Sequence, residues 1–98
     1  MIQLIQSDIY AEWFDSFRDR QTKARIDARV RRLALGNPGQ HRVLQDGICE
    51  LKIDTGPGYR VYYTQIGTRI VLLLCGGDKS SQQNDITAAI RIAATWKE

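Results

Sequence analysis

Glu50, Lys52, Arg60 and Tyr62 are the residues in this 98-residue chain whose types and spacing suit chemistry on an anion. Cys49, Leu51 and Ile53 alternate with Glu50, Lys52 and Asp54, and Tyr59, Val61 and Tyr63 alternate with Arg60, Tyr62 and Thr64. That is the period of half-buried strands. Thr55-Gly56-Pro57-Gly58 between the two runs reverses the chain into an antiparallel hairpin. Odd-numbered positions must face odd-numbered ones, because a slip of one residue would turn a whole strand over. Lys52 therefore lies directly opposite Arg60 or directly opposite Tyr62, according to how the loop closes. Like charges facing each other across a hairpin destabilise it by a fraction of about 1 kcal/mol. A bound phosphate relieves that repulsion, and so does a carboxylate partner such as Glu50 or Asp54.

Ile70-Val71-Leu72-Leu73-Leu74 is a continuous apolar run, the pattern of a central strand covered on both faces. It ends at Gly76-Gly77-Asp78-Lys79, a turn from which Lys79 can be presented to a ligand. The spacing is not that of a P-loop. Glu50 and Asp78 are the carboxylates beside these cations, and each either forms a salt bridge, tunes a lysine or takes part in proton transfer.

The elements that must position these residues follow from the rest of the chain. Ile2 to Ile5 reads as a strand, and Ser7-Asp8 caps a helix whose Ile9, Trp13 and Phe17, flanked by Tyr10 and Phe14, form an aromatic inner face. A second helix runs from about Gln21 to Leu35 with Ile26, Val30 and Leu33 inward, and Gly36-Asn37-Pro38-Gly39 stops it. His41 to Gln45 is a short strand turned at Asp46-Gly47. Ser80 with Gln83 offers a capping box for a last helix running to about Trp96, with Ile86, Ile90 and Ala93 inward. The expected fold is a single α+β domain over residues 1–98, in the order β-α-α-β-β-β(-β)-α. Helices cover one face of a twisted antiparallel sheet and leave the Lys52, Arg60 and Tyr62 face at least partly open.

The net charge of +3 and pI near 9.1 are compatible with a polyanionic partner. Arg25, Arg29 and Arg32 share one face of the second helix. That face is either an ordinary solvated surface, with Asp27 and Arg31 as an i,i+4 pair, or a patch that attracts phosphate backbones. No secretory signal or membrane span is evident, so a cytoplasmic location is expected. Cys49 and Cys75 read as reduced core residues and His41 has no second histidine, so neither metal nor cofactor is expected.

The order of elements and the stretch ELKIDTGPGYRVYYTQIGTRIVLLLCGGDKSSQQNDI resemble the RelE/ParE toxin superfamily, in particular its HigB-like branch of addiction-module killer proteins. The resemblance implies the toxin of a type II toxin–antitoxin pair. RelE-like members cut mRNA on the ribosome through its own 2′-hydroxyl, without a metal, whereas ParE-like members inhibit DNA gyrase. By position, Arg60 matches the arginine at the scissile phosphate, Lys52 a lysine on the neighbouring strand, and Lys79 the basic turn before the last helix. Tyr62 is expected to stack on a base or donate a hydrogen bond, with Glu50, Asp78, Arg25, Arg29 and Arg32 completing the substrate-binding surface. Glu50, Ser80 and Ile86 stand where the family pattern has lysine, arginine and tyrosine. The leading expectation is a ribosome-dependent endoribonuclease; the alternatives are a gyrase inhibitor and an inactive antitoxin-binding module. The implied partners are the ribosome, mRNA and a helix-turn-helix antitoxin, bound in a hetero-oligomer through the arginine-rich helix or the open sheet face.

Overall fold

Ser7 ends the first strand, starts the first helix and ties both to the sheet. Its Oγ accepts from the Tyr10 N–H at 3.0 Å, capping the helix, and donates to the Leu74 carbonyl at 2.6 Å. A computed structural model describes residues 2–96. The elements are β1 (Gln3–Gln6), α1 (Asp8–Asp15), α2 (Arg20–Ala34), β2 (His41–Val43), β3 (Ile48–Ile53), β4 (Tyr59–Ile66), β5 (Ile70–Gly77), a 3-10 turn (Lys79–Ser81) and α3 (Gln82–Thr95). The α+β class and the element order are those expected. The strands form one sheet in the order β1-β5-β4-β3-β2. β1 pairs with β5 in parallel, Leu4 opposite Val71, so the sheet is mixed at this edge rather than wholly antiparallel. Nothing in the residues of a four-residue strand distinguishes the two pairings.

Helices lie on both faces, which corrects the expectation that they cover one face alone; the second face stays partly open at Lys52 and Arg60. On one side Tyr10 of α1 and Ile26, Val30 and Leu33 of α2 pack with Leu51, Val61, Tyr63 and Leu73. On the other, Ala89 of α3 packs with Ile48, Tyr62, Leu72, Leu74 and Cys75. The cause is β5 itself: its apolar residues point both ways, and without α3 Leu72, Leu74 and Cys75 would face water. Ile9, expected inward, is instead exposed, because the buried line of the short α1 runs through Tyr10, Trp13 and Phe14.

The β4–β5 register passes from Tyr62 opposite Cys75 to Tyr63 opposite Leu73, so Leu74 is an extra residue in β5. This bulge turns the consecutive residues Leu74 and Cys75 both toward α3, which a regular strand forbids. Gly76 and Gly77 follow, and each is in close contact with a different helix. A Cβ on Gly76 would fall within the Trp13 indole of α1, and one on Gly77 would strike the Asp85 carboxylate of α3. The glycine pair therefore admits helices on both faces of the sheet. Gly76→Ala is expected to destabilise the protein by about 1–3 kcal/mol through overpacking. A thermal melt equal to wild type would show instead that the indole moves aside freely.

The start of α3 also differs from expectation. Asp78 caps the 3-10 turn that precedes the helix: its carboxylate accepts from the Ser80 N–H at 2.8 Å and from the Ser80 hydroxyl, in a capping box completed by Ser81, while the N-cap position of α3 itself is Ser81. The intervening 3-10 turn displaces the helix start to Gln82.

Candidate functional site

Strand register brings four charged residues together. Lys52 lies directly opposite Arg60, and Glu50 lies opposite Tyr62 on β4 and opposite Arg42 on β2. The turn at Asp46-Gly47, where both residues adopt positive φ of 56° and 75°, returns β2 alongside β3 and so sets Arg42 beside Glu50. Gln82, the first residue of α3, reaches the same face. With Gln40 and His41 these side chains line a polar cleft of about 310 Å³. A larger cavity of about 650 Å³, lined by Ile66, Leu72, Ile90, Ala93 and Trp96 among others, is mostly apolar and has no cation in its wall.

Glu50 is the centre of the cleft and is only 2% exposed. Its Oε1 lies 3.3 Å from Arg42 Nη2, and its Oε2 accepts from Gln82 Nε2 at 3.0 Å and lies 3.7 Å from Arg60 Nε. The last separation gives attraction without a hydrogen bond. Arg60, 6% exposed, donates from Nη1 to the Gly58 carbonyl at 3.0 Å, and its buried Nε has no hydrogen-bond partner. Arg42, Lys52 and Arg60 outnumber Glu50, so the cleft carries excess positive charge around an under-satisfied guanidinium. An oxyanion at the exposed side of the cleft answers the excess charge. His41 sits at the rim with Nδ1 donating to the Gly39 carbonyl at 2.8 Å, and its register partner Leu51 belongs to the opposite face.

The other sequence candidates fall elsewhere. Lys79 is exposed in the 3-10 turn and is not part of the cleft wall. The Asp78 carboxyl is held below the usual carboxylate range by hydrogen bonds from the Ser80 side chain and backbone, with Arg60 a smaller contributor. Arg25 donates to Thr55 Oγ1 at 2.8 Å, and with Arg29 and Arg32 it lines a separate groove of about 370 Å³ beside α2. The three arginines thus do not converge with Arg60 and Lys52. The ordinary i,i+4 pair between Asp27 and Arg31 is present at 2.8 Å.

Tyr62 is fully buried beneath α3, which rules out the expected stacking on a base in this conformation. Burial, then the charges of Glu50 and Asp85, push its phenol pKa up, and its hydroxyl has no hydrogen-bond partner. Removing an unpartnered buried hydroxyl relieves a desolvation cost. Tyr62→Phe is therefore expected to melt no lower than wild type; a lower melt would show that the hydroxyl has a partner.

Arg42, Gln82 and Asp85 were not among the sequence candidates. Parity across Asp46-Gly47 contained Arg42, since the residue opposite a chemical-face glutamate must share that face. Gln82 and Asp85 depend on how α3 crosses the sheet, for which the local sequence has no signal. The Asp85 carboxyl is pushed above the usual range, chiefly by burial, against a Ser81 hydrogen bond that lowers it.

The family model described as Phage derived protein Gp49-like (DUF891) matches residues 12–97, a span that contains every residue of the cleft wall. An uncharacterized protein of Haemophilus influenzae is 44% identical over 92 residues, covering 94% of this chain and 93% of the relative. A five-stranded sheet, three helices and a near end-to-end family match agree: the chain belongs to the Gp49-like family of phage-derived proteins, a RelE-type, toxin-like family.

Proposed function

We propose that this protein is the toxin of a type II toxin–antitoxin pair and that it cleaves mRNA on the ribosome. The observation that carries this reading is the polar cleft in which three cations, Arg60, Lys52 and Arg42, surround one buried carboxylate. Cleavage proceeds by attack of the RNA 2′-oxygen on phosphorus with departure of the 5′-oxygen; the 2′-hydroxyl loses a proton and the 5′-oxygen gains one. Arg60 and Lys52 supply what the transition state most needs, fixed positive charge where negative charge accumulates on the phosphate. Glu50 holds Arg60 in place. The ribosome contributes the alignment of the 2′-oxygen, which a shallow cleft on a small domain does not provide.

The test is purified protein in a translating extract, with primer extension on the mRNA. New 5′ ends that appear only while ribosomes are engaged are the expected result. Lys79 and Tyr62 lie outside the cleft wall, and this favours a second reading in which the fold acts without chemistry, as an inhibitor of DNA gyrase. That reading predicts intact mRNA and inhibited supercoiling. For the antitoxin, the exposed Arg25 and Arg32 beside α2 are the cations best placed to receive anionic residues. Among the described residues no helix is long and apolar enough to cross a membrane.

A further inference from the structure

Arg42 is the most solvent-exposed cation of the cleft, its side chain 61% exposed where Arg60 is buried. It stands on a three-residue strand at the edge of the sheet and meets Glu50 with one nitrogen, Nη2, at 3.3 Å from Oε1 and 3.5 Å from Oε2. That is a long, single-nitrogen contact, not the two-pronged pairing a guanidinium can make with an oxyanion. Glu50, meanwhile, is held independently of Arg42 by the amide of Gln82 and the charge of Arg60. A cation at the mouth of the cleft is thus loosely attached to a carboxylate that keeps its place without it.

We infer that Arg42 grips the substrate: an RNA phosphodiester entering the cleft replaces Glu50 as its partner. The inference rests on the reading of the cleft as an RNA-phosphate site. Only the Arg42 half of the pair is exposed; Glu50 is buried, and the exchange is limited in cost because Gln82 and Arg60 stay beside its carboxylate. A phosphate in its place accepts two parallel hydrogen bonds from one guanidinium. Glu50 then has a second role beside holding Arg60: it occupies the outer anion position of the empty cleft and keeps Arg42 turned inward.

The experiment measures binding of a short fluorescent RNA built of 2′-O-methyl nucleotides, which offer no 2′-hydroxyl for attack. Affinity is followed against salt concentration for wild type, Arg42→Ala, Arg42→Lys and Lys52→Ala. Arg42→Ala is expected to bind about tenfold more weakly, the loss of one charge-assisted contact. Its slope of log affinity against log salt falls by about 0.7, one phosphate contact on a single strand. Arg42→Lys restores the slope without the full affinity, because it keeps the charge and loses the fork. Glu50 is buried, so Arg42→Ala is expected to melt somewhat below wild type, and binding is compared below the melting transition of every variant. Wild-type binding and slope in Arg42→Ala, with weakened binding in Lys52→Ala, overturns the role of Arg42 and leaves the cleft standing. If Lys52→Ala also binds as wild type, or if wild type shows no saturable binding at low salt, the reading of the cleft itself fails.

Discussion

Replacing Arg60 by alanine is expected, under the proposed function, to lower mRNA cleavage by about 100-fold or more and to relieve growth arrest. The magnitude follows from burial. A guanidinium that is 6% exposed acts in a medium less polarisable than water, where each charge-assisted contact to a phosphate is stronger. Its orientation is fixed before substrate arrives by the Gly58 carbonyl on one side and the Glu50 carboxylate on the other. Arg60→Lys is expected to fail nearly as completely, since an ammonium offers a point charge in place of a planar fork. The same burial means that the substitution also touches the fold, and the two effects separate by measurement. Glu50 keeps Arg42 and Gln82 as partners in the variant, so its carboxylate is not orphaned and the stability cost stays at about 1–3 kcal/mol, read by melting. A folded Arg60→Ala protein that cleaves mRNA at the wild-type rate would remove Arg60 from the chemistry. One that arrests growth while mRNA stays intact would point to gyrase.

What could be read from the sequence, and what could not, divides by the distance over which the deciding interactions act. Alternation on either side of Thr55-Gly56-Pro57-Gly58 is local, and it placed Lys52 and Arg60 on one face; only the loop geometry was needed to set them directly opposite. The capping role of Ser7 and the ends of α2 are equally local. The covering of the chemical face was present in the sequence in another form. A strand apolar on both sides, Ile70 to Leu74, demands a second cover, and α3 is the element left to supply it. Taken with parity, that already places Tyr62 beneath a helix. The bulge at Leu74 and the pairing of Gly76 with Trp13 and of Gly77 with Asp85 arise from contacts between segments distant in sequence. A Gly-Gly-Asp-Lys run looks the same whether it serves a ligand or two helices. The basic helix is the clearest case of one pattern with two meanings, because charge spacing does not reveal where a guanidinium points.

Arg29→Ala is expected to destabilise the protein by about 2 kcal/mol while leaving the side chains of the polar cleft unchanged. Arg29 donates from Nη1 to the Lys52 carbonyl at 2.6 Å and from Nη2 to the carbonyls of Pro38 and Gln40 at 3.0 and 3.1 Å. One planar group thereby ties α2 to the end of β3 and to the loop that leads into β2. Burial, then the charge of Arg32, pulls its pKa down from the ordinary arginine value, the signature of a guanidinium drawn inward by carbonyls without a carboxylate to balance it. Gross hydrogen bonds from a charged donor exceed the net figure, because the Gln40 contact is exposed and water replaces it in part, and the Gln40 carbonyl also accepts from the Lys52 N–H at 3.0 Å. A loss of about 2 kcal/mol lowers the melting temperature of a domain this size by roughly 8–16 °C. Arg29→Lys recovers only a fraction, since one ammonium cannot span three carbonyls on two segments. RNA binding below the melting transition keeps the wild-type salt slope, whereas the exposed Arg32→Ala leaves the melt unchanged. The opposite pattern for Arg29, an unchanged melt with a reduced salt slope, would mean that its guanidinium faces a polyanion and that the carbonyl clamp is not what holds the loop.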